Sequence, residues 1–159
     1  MQWFKRIFPD YSRLPKSGKF LAWLTFLQAT HWLAVLVLQQ VFAPETVFWW
    51  SVLVMLAVAA LTLAASWNAF KYRVKGFRLM LLVFALALIK VQFGNKFFID
   101  LTGVLSFSVS WHTNNIMFGI NFLALLFLWL AGKNIAYFTD EAARQRSANT
   151  PEQIEKQQA

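Results

Sequence analysis

The residues of this chain with chemistry to offer are polar groups set inside long apolar runs. His31 lies about 12 residues into a run that begins at Phe20, close to the midplane of a bilayer at about 1.5 Å per residue. At about 100° per residue, Gln28 and Gln39 fall within about 20° of one another, with Thr25 and His31 roughly 60 to 80° to either side of Gln28. The four draw a polar stripe along one helix. Intramembrane polar groups are costly and face a neighbouring helix or an aqueous cavity, so the stripe is a candidate site; the alternative is that it only supplies interhelical hydrogen bonds. Lys90 sits near the outer end of a later run, where its long stem can snorkel toward water. Asp100 and Lys96 lie just beyond it as pairing partners, which also allows a proton or substrate relay through Lys90, Asp100 and His31. Asn114 and Asn121, seven residues apart, share one face of the last run, where they are expected to hydrogen-bond across helices.

Much other chemistry is excluded. Without cysteine there is no disulfide, thiolate metal site or cysteine nucleophile, and two histidines cannot by themselves build a conventional zinc site. A haem held by His31 and His112 needs both at one depth, one on each face of the ring. His112 falls at an interface in either topology considered below, so no cofactor is predicted; a haem or quinone site shared with another subunit stays open as an alternative.

The elements that must position these residues follow from composition. The chain is 58% hydrophobic, 18% aromatic and 14% charged, against about a quarter charged in a soluble domain. This predicts an all-α integral membrane protein: a four-transmembrane-helix bundle with a short extra helix on the outer side, five spans being the alternative. Spans are placed at about 20–42, 47–69, 77–93 and 114–132, each long enough or nearly so for a hydrocarbon core of about 30 Å. The piece 97–111 carries Asp100, Thr102, Gly103 and three serines, which favours a helix lying along or dipping into the outer face. In the second span Ala57, Ala60 and Ala64 recur at helical spacing and are expected to pack inside the bundle. Before the spans, residues 1–19 interleave Trp3, Phe4, Ile7 and Phe8 with cations, as in an amphipathic surface segment; residues 134–159 read as a polar tail.

Charge orients the chain. The net charge of +8 comes from cations that flank apolar runs rather than forming a stripe with aromatics, so anionic lipid headgroups are the expected partner and nucleic acid is not. Lys5 and Arg6 precede the first span, while Lys71, Arg73, Lys75 and Arg78 fill the loop between the second and third. The positive-inside rule places both groups in the cytoplasm of a bacterial inner membrane, with the carboxyl end on the same side if there are four spans.

One resemblance adds to this. Leu14-Pro15-Lys16-Ser17 with Trp23-Leu24 and Gln28, the basic connection from Lys71 to Arg78, and Phe93-Gly94 with Asp100, Gly103 and Val104 resemble the amino-terminal membrane region of bacterial TgpA-type transglutaminases. The resemblance implies membrane helices of that kind; the family's activity does not follow, because the cysteine nucleophile is missing. With no nucleophile, metal cluster or phosphate loop visible, the expected function is a non-enzymatic subunit or accessory factor of a membrane complex, joined to other membrane subunits or to itself. Two alternatives are a small oligomeric transporter or channel with a polar intramembrane path, and a membrane anchor for a haem or quinone redox complex.

Overall fold

The computed structural model describes residues 2–42, 49–93, 97–100, 105, 107–113 and 116–158. A short helix α1 (Gln2–Ile7) and a 3-10 turn (Pro9–Arg13) lead into three helices, α2 (Lys16–Phe42), α3 (Trp49–Phe70) and α4 (Val74–Leu86). Four strands follow, β1 (Ile89–Phe93), β2 (Phe97–Asp100), β3 (Ser108–Thr113) and β4 (Ile116–Asn121), and a long helix α5 (Phe122–Gln158) closes the chain. Each of α2 to α5 packs on the next, and α5 returns to α2. The strands form one antiparallel sheet in the order β2-β1-β4-β3.

The helical core is apolar and tight. Phe77, Phe84, Leu21 and Met80 are fully buried, and Phe84 meets Phe127 of α5 at 5.2 Å between ring centroids. Close approach of α3 to α4 depends on small residues, but not on the expected ones: Ala57, Ala60 and Ala64 face outward, while Ala59, Thr62, Ala65, Ser66 and Ala69 are buried. Opposite them stands Gly76, where a Cβ would lie 2.3 Å from the Ala69 nitrogen and 2.8 Å from the Ala65 carbonyl oxygen. The buried hydroxyls stay inside their own helices, Thr25 donating to the Leu21 carbonyl at 2.7 Å and Thr62 to that of Val58 at 2.6 Å. Thr25 of the polar stripe is thereby satisfied without a neighbour.

At the basic end the amino-terminal segment tucks into the helices. Phe8 and Leu14 are buried, and Phe4 lies 4.9 Å from Phe8, 5.1 Å from Tyr11 and 5.7 Å from Phe70. Trp23 Nε1 donates to the Tyr11 hydroxyl at 3.0 Å. Trp3 and Arg6 keep the outer side of the segment exposed.

The fold departs from an all-α architecture in its second half. The helix expected over 77–93 stops at Leu86, so α4 is about 20 Å long, short of a hydrocarbon core. The helix expected over 97–111 is replaced by strands β2 and β3, and the last span, expected to begin at 114, starts as strand β4 and turns helical only at Phe122. The reason lies in the residues. Ile89-Lys90-Val91-Gln92-Phe93 and Ser108-Val109-Ser110-Trp111 alternate polar and apolar, which a strand sorts onto two faces and a helix would scatter around its axis. Among the described residues, three helical stretches are long and apolar enough to cross a membrane: Lys16–Phe42, Val52–Phe70 and Phe122–Ser147.

The contact at Gly76 gives a direct check. Gly76→Ala is expected to destabilise the protein by about 2 kcal/mol, because the obstructing atoms are backbone. Gly132→Ala on α5, where nothing lies within 4 Å of the added carbon, should be neutral or slightly stabilising. Denaturant unfolding in one detergent measures both.

Candidate functional site

Two helices end at the same level in the interior, and Asn121 joins them. It is 1% exposed and stands as the N-cap of α5, its side-chain Oδ1 accepting from the Leu123 N–H at 3.1 Å. The same oxygen accepts from the Phe107 N–H at 3.2 Å, and Nδ2 donates to the Ala87 carbonyl at 3.4 Å, just past the end of α4. Its backbone N–H donates to the Leu88 carbonyl at 2.9 Å, opening the ladder between β4 and β1. Asn121 was expected on a helix face beside Asn114; it sits at a strand-to-helix junction instead, and Asn114 lies outside the described residues.

Beside this junction is a small cavity of about 10 Å³, lined by Gln28, Asn121, Leu24, Phe84 and Phe127 among others. That is room for about one water molecule. Gln28 is 4% exposed, and neither its Nε2 nor the buried Trp32 Nε1, one turn further along α2, finds a hydrogen-bond partner among the described residues. The polar stripe therefore divides. Gln28 turns into the core, whereas His31 and Gln39 are exposed on α2.

Above the junction the sheet is amphipathic. Its register sets Ser110 opposite Gly119, Gly119 opposite Lys90, and Lys90 opposite Asp100, one row across all four strands. On the neighbouring rows of the same parity stand Ser108 with Asn121, and His112 with Met117 and Gln92. The opposite parity brings together Val109, Trp111, Ile116, Phe118 and Ile120 with Ile89 and Val91. Along β3 and β4, Ser108, Ser110, Met117, Gly119 and Asn121 are more buried than Val109, Trp111, Ile116 and Phe118, so the apolar face is the outer one. At Gly119 a Cβ would come within 2.8 Å of Ser110 Oγ and 3.3 Å of the Val109 carbonyl oxygen, so a larger residue would make Ser110 turn away. Lys90 was expected near the end of a helix; it lies in β1, partly buried, with Asp100 as its cross-strand neighbour. His31 on α2 and His112 on β3 are both exposed, and no group of three or more acids and histidines gathers among the described residues. Lys96 lies outside the described residues.

The cations expected at lipid headgroups gather near the turn between α3 and α4 and the amino-terminal segment packed against it. Arg6, Lys71, Arg73, Lys75 and Arg78 are exposed, Lys5 is on α1, and the Lys71 ammonium lies 5.0 Å from the Trp67 ring centroid. The expected basic loop is shorter than its four cations: Lys71 and Arg73 lie in the turn between α3 and α4, whereas Lys75 and Arg78 stand in the first turns of α4, and the turn is closed by Tyr72, whose φ of 56° is left-handed. The Tyr72 N–H donates to the Ala69 carbonyl at 2.9 Å and the Arg73 N–H to that of Asn68 at 3.0 Å, a Schellman ending of α3 in which glycine is the usual left-handed residue. Tyrosine earns its place through its side chain: the hydroxyl donates to Glu141 of α5, and the ring packs 4.7 Å from that of Phe138. Burial and the adjacent Glu141 carboxylate hold the Tyr72 phenol well above its usual range.

Sequence reasoning missed two residues. Asn134, 1% exposed, donates through Nδ2 to the Leu130 carbonyl at 2.7 Å and to Ser17 Oγ at 3.3 Å, tying the start of α2 to α5 where Gly18 lets them touch. Its signal was an asparagine in helical phase with the apolar face of the last span, just beyond the end expected at 132. Trp32 was missed because an indole inside an apolar run carries no polar signal in the pattern.

Three membrane-length helices and an amphipathic sheet fit, at this level of description, a helical membrane protein. Compared with protein families, with curated proteins and with solved structures, the chain matches none.

Two outcomes follow. Asn121→Leu removes a cap worth about 1 kcal/mol and orphans buried backbone groups at about 1 to 3 kcal/mol each, so a loss of about 3 kcal/mol is expected, whereas Gln28→Leu, whose amide nitrogen has no partner among the described residues, should cost little or stabilise. Unfolding in detergent compares the pair. Because the folded state favours the neutral phenol, the contribution of Tyr72 is complete below pH of about 10 and is lost as pH rises beyond it. A stability titration through that window should show the decline in the wild type and lose this component in Tyr72→Phe.

Proposed function

We propose that the chain is a non-enzymatic subunit or accessory protein of a membrane complex, and that its partner joins it along the edge of the sheet. The observation that carries this reading is an open sheet, taken with the orientation that the basic residues give. With the amino end and the Lys71 loop on the cytoplasmic side, the first hydrocarbon-facing residue of α2 is about Phe20, and Gln28 lies about 12 Å inside. The sheet starts at the level of Gln28, and β1 rises roughly 16 Å further, within the outer half of a core of about 30 Å. Strands β2 and β3 are its edges, and unpaired backbone groups facing lipid cost several kcal/mol each. A neighbouring chain that pairs with these edges removes the difficulty. The exposed Ala57, Ala60 and Ala64 row on α3 offers the same neighbour a close helix contact.

A second reading has its own support. An outer apolar face and an inner row of Ser110, Lys90 and Asp100 positions above Gln28 are the division found in membrane strands that line an aqueous path. A small oligomeric transporter or channel would use it.

The chain has no cysteine, so one placed at Val109 of edge strand β3 is unique. Carrying a benzophenone-maleimide label in native membranes, it is expected to cross-link to a neighbouring protein with high yield, while the same label at Arg6 does so poorly. A chain that purifies as an uncross-linked monomer in mild detergent would overturn the proposal. Cross-linking to a second copy alone would move the weight to the oligomeric transporter.

A further inference from the structure

Around the cavity beside Asn121 the polar groups of the chain do not balance. Oδ1 of Asn121 accepts from the Leu123 and Phe107 amides, and Nδ2 gives one of its two protons to the Ala87 carbonyl at 3.4 Å. The second proton has no partner among the described residues, and a carbonyl oxygen that accepts one bond keeps a lone pair for another. Gln28 lines the same cavity, and its buried Nε2 has no partner among the described residues either. Two donors and one acceptor therefore adjoin a space of about 10 Å³, whose side walls are the hydrocarbon of Leu24, Phe84, Ala124 and Phe127.

That space limits a ligand to one heavy atom, and the donors decide which. A cation would meet two N–H groups. An anion would stand uncompensated, because no charged side chain lines the cavity. Water suits it: it accepts two hydrogen bonds and donates others, and buried waters make about three bonds to groups otherwise left unsatisfied. Trp32 Nε1, the other unpartnered buried donor of α2, does not line the cavity and takes no part.

We propose that the cavity is a binding site for a single ordered water, which accepts from Gln28 Nε2 and from the second Nδ2 proton of Asn121 and donates to the Ala87 carbonyl. The water ties α2 to the level at which α4 ends and α5 begins. Leu105, which lines the cavity and is 45% exposed, marks the side from which water enters. In Gln28→Leu the donor and its water leave together, which is why little loss of stability accompanies that substitution.

Hydroxyl-radical footprinting by X-ray radiolysis of the full chain in mild detergent tests the site, because radicals formed at a bound water label the side chains in contact with it. Phe84 and Phe127, both buried in the cavity wall, are expected to be labelled severalfold faster than Phe77, which is buried outside the lining. Gln28→Leu, and Gln28→Met, which keeps the shape of glutamine without its N–H groups, should both bring the two rates down to that of Phe77. Equal labelling of the three phenylalanines in the wild type would overturn the proposal by showing a dry cavity. Labelling of Phe84 and Phe127 that persists in the folded variants would overturn it by assigning the signal to opening of the junction. Collapse of the fold in both variants would also overturn it, since a water that departs with its donor leaves the helices packed.

Discussion

Ending a helix inside an apolar surrounding leaves carbonyl and amide groups that no solvent can satisfy, and this chain ends two of them side by side. Asn121 is the residue that makes the arrangement tolerable. One side chain caps α5, reaches the Ala87 carbonyl beyond α4 and accepts from Phe107, while its backbone starts the β1–β4 ladder. Everything past this level exists because the helical hydrogen-bond pattern is handed over to a sheet without a gap. An aspartate could accept the same two amide protons but would have no donor for Ala87, and a serine would be too short to span the three partners.

The handover changes what the polar residues of the second half can do. In a helix, Lys90 and Asp100 would have been ten residues and nearly three turns apart; in the sheet they are cross-strand neighbours. Ser108, Ser110 and His112 likewise fall on the Lys90 side, leaving an outer face of valine, isoleucine, phenylalanine and tryptophan. The sheet thus concentrates polarity inward using the same residues that, as a helix, would have exposed it to lipid on every side.

Much of the helical half was legible. The apolar runs over 20–42 and 47–69 correspond to α2 and α3 within a few residues where they are described, while the basic loop expected over 71–78 shortens to a turn, because α4 begins at Val74. Long apolar runs bounded by cations leave little choice of structure. The sheet was not read, although the alternation in Ile89-Lys90-Val91-Gln92-Phe93 was visible, because five residues of period two were outweighed by the apolar length of the run that contains them. The small-residue contact was misplaced for a different reason: alanines at helical spacing recur on both sides of α3, and only the partner, Gly76, decides which side packs. The polar stripe was centred on His31, with Gln28 as one of its members; it is Gln28 that lines the cavity at the junction, and that His31, on the same helix, is exposed could not be known without α5 in place.

The levels of the helix ends also divide the molecule mechanically. Below Gln28, α2 to α5 pack around Phe77, Met80 and Phe84 and bury nearly every inward side chain; above it, α2 and α3 continue with mostly exposed residues, and the sheet touches the helices chiefly at its base. The two parts differ sharply in how much apolar surface they bury within the chain. The lower one is self-sufficient in buried area, whereas the upper one owes its order to whatever surrounds it. Local opening is therefore expected to begin in the sheet and the upper ends of α2 and α3, with the packed base serving as the frame that holds them.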